Sequence, residues 1–450
     1  MKNSIIIVGG GITGLTIAYL ASLSNYKVTV LEANKEFGGL LNTFDISDTK
    51  LEFYYHHFFT HDKEIHWLIN ELGLNDKLLY KKTSMGVYRN DNIFKFNGII
   101  DLIKFSPISI FGKLRFGLTS LFIGKYADWK KFESISTLEW FYKYAGKKVT
   151  DSIWEPLLKI KFGPFSNKVP LSWMIGRLRQ RMSSRKNGEE RLGYLDGSLN
   201  ILLINLMDRL KENGVSLVNN SKVDKLIIEN NSIKGVVSNR IKYQANKTVL
   251  TIPSVYIVDL IKPFNFSLSN KIDNIEYFGA VCVILELNKK LSDIYWLNIA
   301  DEGFPFGGII EHTNFISSNN YKGKHIAYLS RYFAKNENIS KMSNKEIINL
   351  MIPHLKKIYK KFDESSIENI HVFKTNTAAP VCDLNFSLKV VDVKTEISNL
   401  FISSMMHVYP DERSVNNSIR IAANTCKIMG INSDFVPDGS SLSALIGFKN

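Results

Sequence analysis

The sequence predicts an α/β protein with one domain built on a parallel sheet and at least one further structural unit. A strand, a glycine-rich turn, a helix and a second strand lie in order between Ile5 and Leu31. Two further runs, Gly279–Leu287 and His325–Phe333, are strand-like. The chain has 450 residues, of which 45% are hydrophobic, so it can bury the cores of two or three such units.

The first element is a βαβ unit. Ile5–Val8 and Val28–Leu31 are β-branched runs typical of buried strands, and the stretch from about Leu15 to Ser24 is helix-like. Parallel strands joined in this way require a right-handed crossover and a sheet that is covered on both faces.

The turn of this unit contains a dinucleotide-binding pattern, GxGxxG. Gly9 allows the tight turn, Gly11 lets the backbone approach a pyrophosphate, and Gly14 lets the helix pack on the strand. Glu32 ends the second strand, where it can accept hydrogen bonds from a ribose diol. NAD and FAD both use this pattern. The residues predicted to contact the dinucleotide here are Gly9, Gly11, Ile12, Thr13, Gly14, Glu32 and Ala33.

A second glycine pair, Gly38-Gly39, follows Glu32 closely. It lets the chain turn sharply and pass close to a bound cofactor, whereas an ordinary NAD domain usually continues into a helix. The chain contains a single GxGxxG, so the sequence gives no support for an additional NAD(P)H site.

The stretch from Gly9 to Leu40 resembles the N-terminal signature of the FAD-dependent amine oxidase superfamily, which includes protoporphyrinogen oxidases, carotenoid desaturases and monoamine oxidases. Later segments of the chain extend the resemblance in the right order: Ser221–Val237, Tyr243–Ser254 and Asn399–Cys426. The resemblance implies a Rossmann-like FAD-binding domain, an inserted α+β substrate domain with a helical lobe, and FAD as the cofactor.

The resemblance also implies further FAD contacts: Gly38, Gly39, Leu40, Leu41, Val223, Pro253, Met405, Arg413, Ser414 and Val415. Two positions depart from the family pattern. Leu40 stands where many relatives have an arginine, and Ser404-Met405 stands where many have a Gly-Asp pair. Arg413 could neutralise a cofactor phosphate in place of the missing contact, or form a surface ion pair.

The FAD-binding domain is therefore expected to comprise three separated segments, residues 1–74, 193–253 and 390–430. The substrate-binding domain is expected to comprise the two intervening segments, residues 75–192 and 254–389.

A histidine pair is the first candidate for catalysis. His56 and His57 stand among tyrosines and phenylalanines, a setting that would lower the imidazole pKa by desolvation and suit a neutral base or hydrogen-bond donor. The alternative is a structural role. Metal binding is not expected, because adjacent residues on an extended segment point to opposite faces and no carboxylate or cysteine has suitable spacing.

The second catalytic candidate is a polar cluster that contains Glu311 and His312, with Arg331 further along the chain. Glu311 and His312 could act as an acid/base pair, or form a cross-strand ion pair of the substrate domain. Arg331 could hold a carboxylate or phosphate of the substrate through two parallel hydrogen bonds.

The net charge of +14 is compatible with nucleic acid, an anionic membrane, an anionic substrate or compositional drift. No basic run of five or more residues occurs, so nucleic acid is not expected as a partner. Ile99–Phe132 alternates apolar and basic residues, and it is either a peripheral membrane contact or a helical lobe over the substrate cavity. Arg177, Arg179 and Arg181 could attract an anionic or lipid-linked substrate.

These observations predict an FAD-dependent oxidoreductase that acts on an amphipathic or anionic small molecule. The alternatives are a flavin-dependent isomerase such as a sugar-nucleotide mutase, and a flavin-binding protein without turnover. Three scattered cysteines, the absence of a cleavage-site pattern and the absence of a long apolar run favour a cytoplasmic protein, with or without peripheral membrane contact. The oligomeric state is left open.

Overall fold

The computed structural model of the protein describes residues 3–186, 189–439 and 446–448. Its helices are α1 Ile12–Leu23, α2 Lys63–Glu71, α3 Ile99–Lys104, α4 Ile110–Leu121, α5 Thr137–Tyr144, α6 Lys147–Val149, α7 Glu155–Phe162, α8 Leu171–Ser183, α9 Asn200–Glu212, α10 Val258–Ile261, α11 Phe266–Asp273, α12 Asn344–Met351, α13 Leu355–Ile358 and α14 Val415–Ile428. Its strands are β1 Ser4–Val8, β2 Lys27–Leu31, β3 Thr43–Ile46, β4 Thr49–Glu52, β5 Phe58–Phe59, β6 Leu78–Lys82, β7 Met85–Arg89, β8 Asn92–Lys95, β9 Arg185–Lys186, β10 Glu189–Leu195, β11 Ser216–Val218, β12 Val223–Glu229, β13 Ser232–Ser238, β14 Ile241–Gln244, β15 Lys247–Leu250, β16 Tyr277–Leu287, β17 Trp296–Ile299, β18 Gly308–Glu311, β19 His325–Ala334, β20 Ile367–Pro380 and β21 Leu400–Ile402.

A parallel sheet of five strands, in the order β11-β2-β1-β15-β21, forms the centre of one domain. Alternate residues of β1 point to opposite faces of this sheet. Ile5 and Ile7 belong to the core that includes α1, α9 and α14, whereas Ile6 and Val8 belong to the core that includes β12 and β13. Both faces of the sheet are covered, as a βαβ sheet requires. The predicted Rossmann-like fold class is confirmed.

The five strands come from separated parts of the chain. Two of them lie between Ser4 and Leu31, two lie between Ser216 and Leu250, and the last is Leu400–Ile402. These parts all fall within the three segments that the sequence assigns to the FAD-binding domain. The exact domain boundaries stay a prediction.

A mixed sheet of seven strands, in the order β20-β16-β19-β18-β17-β7-β8, forms the centre of the inserted region. Its strands pair antiparallel except for β17 and β7, which pair parallel. β16 is buried along its whole length, as the apolar run Gly279–Leu287 predicts. One face of the sheet contributes Cys282 and Ile284 to the core shared with β1, and the other face packs beneath α12 and α13.

A helical lobe, α3 to α8, completes the inserted region. Its centre is a stack of aromatic rings, in which Trp154 lies 4.2 Å from Phe141 and 5.1 Å from Phe116 between ring centroids. Such stacked pairs contribute packing energy beyond that of their buried area. The stack holds α4 and α5 against the start of α7.

Within the described ranges, no helix is both long enough and apolar enough to cross a membrane. The three cysteines, Cys282, Cys382 and Cys426, are all free thiols.

Candidate functional site

The three glycines of the β1–α1 turn are needed for three different reasons. Gly9 has φ of +110°, in the region that favours glycine, and a Cβ there would lie 2.8 Å from Ile252 Cγ2. A Cβ on Gly14 would lie 2.1 Å from the carbonyl oxygen of Gly9, so a side chain would force α1 away from β1. A Cβ on Gly11 would meet no atom of the described chain within 4 Å. The space beside Gly11 is therefore open.

The N-terminus of α1 faces this open space. Gly11 is its N-cap, and no described side chain caps it; the first turn also contains no acidic residue. N–H groups left unpaired at a helix start bind anions, and the helix dipole favours negative charge there. The hydroxyl of Thr13 lies 3.4 Å from the carbonyl oxygen of Ser418, so α14 begins close to α1.

The second glycine pair lies against the first glycine-rich turn. The N–H of Gly38 donates to the carbonyl of Gly10 at 2.8 Å. Gly38 and Gly39 have φ of +124° and +59°. A Cβ on Gly39 would meet only the Cα of Gly11, at 3.4 Å, among the described atoms. Gly11 and Gly39 thus form a cradle of bare backbone that a side chain at either position would enter.

Glu32 is buried at the end of β2, where its carboxylate organises the turn. Oε2 accepts from the N–H of Gly10 at 2.7 Å, and Oε1 accepts from the N–H and side chain of Asn34 at 2.9 and 2.8 Å. The N–H of Ser221 donates to the carbonyl of Glu32 at 2.7 Å, which brings the start of β12, and with it Val223, alongside. Ala33 is exposed at this edge.

The closing segment runs from β21 into α14. Ser414 caps α14 by accepting from the N–H of Asn417 at 3.0 Å. Asp411 is buried in an ion pair with Arg420 at 2.7 Å, which fixes the loop before α14. Met405, Arg413 and Ser414 stay partly accessible. Met405 and Arg413 line an interior cavity that Trp173 and Phe278 also line.

Arg413 does not form the surface ion pair that was one alternative. Its guanidinium lies over the ring of Tyr332, 5.3 Å from the centroid, and Nη1 is 3.5 Å from the carbonyl of Ala378. A cation over an aromatic face gains from the ring quadrupole. Arg413 therefore projects into the interior between the closing segment and the seven-stranded sheet.

The arrangement fits an adenine dinucleotide. It combines a cradle without side chains, an uncapped helix start for the pyrophosphate and an acid at the end of β2 for the ribose. The residues that would hold the adenosine and pyrophosphate are Gly9, Gly11, Ile12, Thr13, Gly14, Glu32, Ala33, Gly38, Gly39 and Val223. Those that would hold the flavin half are Leu40, Leu41, Pro253, Met405, Arg413, Ser414 and Val415.

The histidine pair has the lowered basicity that its aromatic setting predicts. Burial lowers the pKa of His56 to about 4 and that of His57 to about 3, with Arg181 and Arg177 contributing to the second. His56 Nδ1 lies 2.5 Å from the carbonyl oxygen of Tyr54, and His57 Nδ1 lies 3.2 Å from the hydroxyl of Tyr295. Both rings are therefore neutral near pH 7, which suits hydrogen bonding better than proton removal.

Glu311 and His312 are not brought together as an acid/base pair. The carboxylate of Glu311 accepts from the N–H groups of Leu291 and Ser292 at 3.0 Å each, whereas His312 Nε2 lies 2.8 Å from the hydroxyl of Tyr321. Adjacent residues at a strand end point to opposite sides, and each is engaged by a different loop. Among the described contacts, Glu311 and His312 also do not form the cross-strand ion pair that was the alternative. This geometry favours a structural role for both.

Arg331 is likewise engaged by the chain itself. Its Nη2 pairs with Glu337 and its Nη1 donates to the carbonyl of Pro305 at 3.3 Å, beside a cleft of about 560 Å³. Both ends of the guanidinium are occupied. The sequence predicts that Arg331 forms two parallel hydrogen bonds to a substrate. Arg331 could form them only if its ion pair with Glu337 broke.

The interior contains a cluster of cationic side chains that the sequence predicts only in part. We define it as Lys161, Arg177, Arg181 and Arg413, with the carboxylates Glu190 and Glu412. Lys161 and Arg177 both contact Glu412, and Arg181 pairs with Glu190 at 2.9 Å. Arg179 lies outside the cluster, because its Nη2 donates to the carbonyl of Ala127. Arg177 and Arg181 are four positions apart on α8, about one helical turn, so the sequence alone predicts that these two lie on the same face of the helix.

We expect Glu311→Gln to leave the rate of flavin reduction unchanged and to alter the pH dependence of stability. Burial raises the pKa of Glu311 to about 7, so the folded state binds its proton more tightly than the unfolded state does. Its contribution to stability is complete at low pH and is lost as the pH rises through about 7. Because glutamine keeps the side chain neutral, the unfolding free energy of the native chain should fall by about 2–3 kcal/mol relative to that of the variant between pH 5 and 8. Denaturant unfolding across that range measures it, and a difference that is independent of pH would contradict it.

Comparisons with known proteins identify the family and the fold of the chain. The family model for flavin containing amine oxidoreductase matches residues 12–380. A protein from Exiguobacterium sp. 255-15 assigned as a protoporphyrinogen oxidase has a similar fold, with a TM-score of 0.77, 14% identity, and coverage of 95% of this chain and 99% of that chain. Reduced UDP-galactopyranose mutase gives a TM-score of 0.73 at 13% identity over 98% of this chain and 97% of its own.

Wild-type putrescine oxidase bound to putrescine gives a TM-score of 0.70 at 15% identity, over 96% of this chain and 99% of that chain. No curated protein matches the sequence significantly. At these identities the solved structures establish the fold, and the family match covers most of the chain. The chain therefore belongs to the flavin-containing amine oxidoreductase family, as an FAD-dependent oxidoreductase.

Proposed function

We propose that the chain oxidises an amphipathic small molecule whose anionic end binds the cationic cluster. The single observation that carries this proposal is the charge balance of the cluster. Lys161, Arg177 and Arg181 share the two carboxylates Glu190 and Glu412, and the side chains in these ion pairs are between 8% and 18% exposed. Arg413 adds a fourth positive charge that acts on Lys161. Buried charges are usually paired one to one. An excess of positive charge in the interior indicates an anionic ligand.

The pKa values in the cluster reflect burial first and the neighbouring positive charges second. Burial, and then the charge of Arg181, lowers the pKa of Arg177 to about 9. Burial, and then the charges of the neighbouring arginines, lower the pKa of Lys161 well below its usual value. Like charges in a poorly solvated space repel each other, and the two carboxylates offset only part of that repulsion. A phosphate or carboxylate of a substrate would complete the compensation.

Aromatic rings line the same space and suit the apolar part of the substrate. Trp173 lies beneath Lys161 and Arg177, at 4.9 and 5.7 Å from its centroid. Tyr55 meets Trp296 edge to face at 4.9 Å. A few charged groups among aromatic walls are typical of sites that orient a ligand by its polar end. The substrate class proposed is therefore amphipathic as well as anionic.

When bound, FAD supplies the hydride acceptor. The chain's own residues bind and orient the substrate and exclude water. The cationic cluster holds the anionic end, and the neutral ring of His57 offers a hydrogen bond without taking up a proton near pH 7. Burial raises the pKa of Tyr55 well above its usual value, so its hydroxyl stays a donor.

A mutase is the second candidate function, and the same cluster favours it. Sugar nucleotides carry a diphosphate that four cationic side chains could bind. The fold likeness to reduced UDP-galactopyranose mutase adds support for the architecture. In that case reduced FAD would act without net redox change.

Anaerobic mixing of the oxidised holoenzyme with three compounds tests the proposal. Protoporphyrinogen IX and UDP-galactopyranose each carry anionic groups. Putrescine is a smaller molecule that carries two positive charges. Bleaching of the visible flavin band by an anionic compound supports the proposed oxidation. Bleaching by putrescine alone would contradict the anionic substrate. Turnover of UDP-galactopyranose only after prior reduction with dithionite would favour the mutase, and no change with any compound in either redox state would favour a flavin-binding protein without turnover.

A further inference from the structure

Glu412 places its own carboxylate inside the cationic cluster. Lys161 and Arg177 both donate to it, and the three side chains are between 13% and 17% exposed. Among the described hydrogen bonds, the carboxylate of Glu412 accepts from these two donors alone. A carboxylate is the same kind of acceptor as the anionic end of a substrate. Glu412 therefore already fills a position that an anionic ligand would take.

The two cations are held in place by more than Glu412. Lys161 Nζ lies 4.9 Å and the Arg177 guanidinium 5.7 Å from the ring centroid of Trp173. Trp173 is buried, and its ring packs edge to face against that of Phe162 at 4.7 Å. A cation over an aromatic face gains from the ring quadrupole. Because the ring is fixed, both cations would keep their positions if the carboxylate left.

The loop that contains Glu412 is anchored through its backbone. The carbonyl oxygen of Glu412 accepts from the side-chain amide of Asn417 at 2.6 Å, and Ser414 caps α14. Asp411 pairs with Arg420 at 2.7 Å. None of these contacts uses the carboxylate of Glu412. A rotation about the side-chain bonds of Glu412 would therefore withdraw its carboxylate from the cluster without unfolding the loop.

The contact between Arg177 and Glu412 is not the strongest that a guanidinium can make. Arg177 reaches both carboxylate oxygens through Nη1, rather than through two parallel hydrogen bonds from different nitrogens. A phosphate brings more negative charge than a carboxylate and three acceptor oxygens. A phosphate group would therefore gain more from Lys161 and Arg177 than the carboxylate of Glu412 does.

We propose that Glu412 is an internal competitor for the anionic end of the substrate, which displaces its carboxylate from Lys161 and Arg177 on binding. This inference rests on the proposed function, since an anion must first enter the cationic cluster. The apparent affinity for any anion is then reduced according to the fraction of molecules in which Glu412 holds the cations. A single carboxylate exchanges for Glu412 with little net gain, whereas a phosphate or diphosphate gains more than the group that it replaces loses. Glu412 is thus a specificity-determining residue that keeps weaker anions out of the cluster.

Isothermal titration calorimetry of the oxidised holoenzyme with pyrophosphate tests the proposal. Glu412→Gln removes the charge, and Glu412→Asp keeps the charge but shortens the side chain. Glu337→Gln is the matched control, because Glu337 pairs with an arginine, Arg331, outside the cationic cluster. We expect pyrophosphate to bind Glu412→Gln about tenfold and Glu412→Asp about threefold more tightly than the native chain. Glu337→Gln should match the native chain within about twofold. Acetate, which can replace the missing carboxylate, should also bind more tightly to Glu412→Gln than to the native chain.

Retained flavin absorbance shows that each variant is folded, and Glu412→Asp decides the case if Glu412→Gln loses flavin. Equal or weaker binding by both Glu412 variants would overturn the proposal, because Glu412 would then position the cations for the anion. Native-like binding by Glu412→Asp beside tighter binding by Glu412→Gln would overturn it too, since net charge rather than occupancy would set the affinity. Tighter binding by Glu337→Gln alone would place the anion at Arg331. Pyrophosphate that binds neither the native chain nor any variant would refute the proposed function itself.

Discussion

A Gly11→Thr variant is expected to fold as the native chain does and to lose FAD. Threonine is accepted about as well as glycine at a helix N-cap, and Gly11 has φ of −74° and ψ of 175°, which any residue adopts. No described atom of the protein would lie within 4 Å of a Cβ added at Gly11. The added side chain would instead occupy the cradle between Gly11 and Gly39. The unfolding free energy of the apoprotein should change by less than about 1 kcal/mol, while the flavin-to-protein ratio after purification should fall to a small fraction of the native value.

Two other glycine variants serve as controls. Gly117→Ala places a methyl group on an exposed position of α4 where no described atom lies within 4 Å, and it should retain flavin and gain roughly 0.5–1 kcal/mol of stability from helix propensity. Gly14→Val should lose both flavin and stability, because its side chain meets the backbone of Gly9. If Gly11→Thr retained full flavin, the cradle would not be the cofactor site.

Arg177→Gln is expected to weaken anion binding by about 100-fold. Inorganic pyrophosphate is the probe, titrated into the oxidised holoenzyme and followed by the change in the visible flavin spectrum. A hydrogen bond from a buried guanidinium to an anion contributes about 1.5–3 kcal/mol, and the loss of the positive charge adds to that. The variant shortens the side chain but keeps a polar end, so α8 should remain folded.

Arg179→Gln is the matched control, since it changes the same residue type two positions away on the same helix. Its guanidinium donates to the carbonyl of Ala127, outside the cationic cluster. It should bind pyrophosphate within about threefold of the native chain. Equal losses in the two variants would mean that the effect comes from general surface charge. Equal retention in both would mean that Arg177 does not face the anion.

Local patterns predicted the cofactor half of the molecule well. β1, α1 and β2 form as expected because their signals lie within adjacent residues: β-branched runs, three glycines at fixed spacing and an acid at a strand end. The buried strands β16 and β19 also form where the sequence places them. Each of these elements is specified by its own periodicity.

The substrate cavity could not be predicted in the same way, because its contacts join distant parts of the chain. Glu412 meets Lys161 and Arg177 across 251 and 235 positions, and nothing local to any of the three indicates the others. The strand pattern argues against one hypothesis, the acid/base pair of Glu311 and His312. Glu311 and His312 are neighbours at the end of β18, and neighbours on a strand point to opposite sides.

The helical lobe shows a third case, in which the sequence left two alternatives open. Ile99–Phe132 was compatible with a lobe over the cavity or with a membrane contact. The structure contains a packed lobe whose inner face includes Phe116 and whose outer face includes Phe111 and Leu118. Which side of an amphipathic helix faces the core depends on neighbours that the helix sequence does not encode.

A crystal structure of the holoenzyme grown with pyrophosphate would show where the cofactor and the added anion bind. We expect the FAD pyrophosphate to lie on the bare backbone of Gly11 and Gly39 at the start of α1. We expect the added anion within hydrogen-bond distance of Arg177 and Arg413, beside the flavin. An anion bound elsewhere, or a flavin that fills the space between these arginines and leaves no room for a substrate, would contradict both the cofactor site and the proposed anion site.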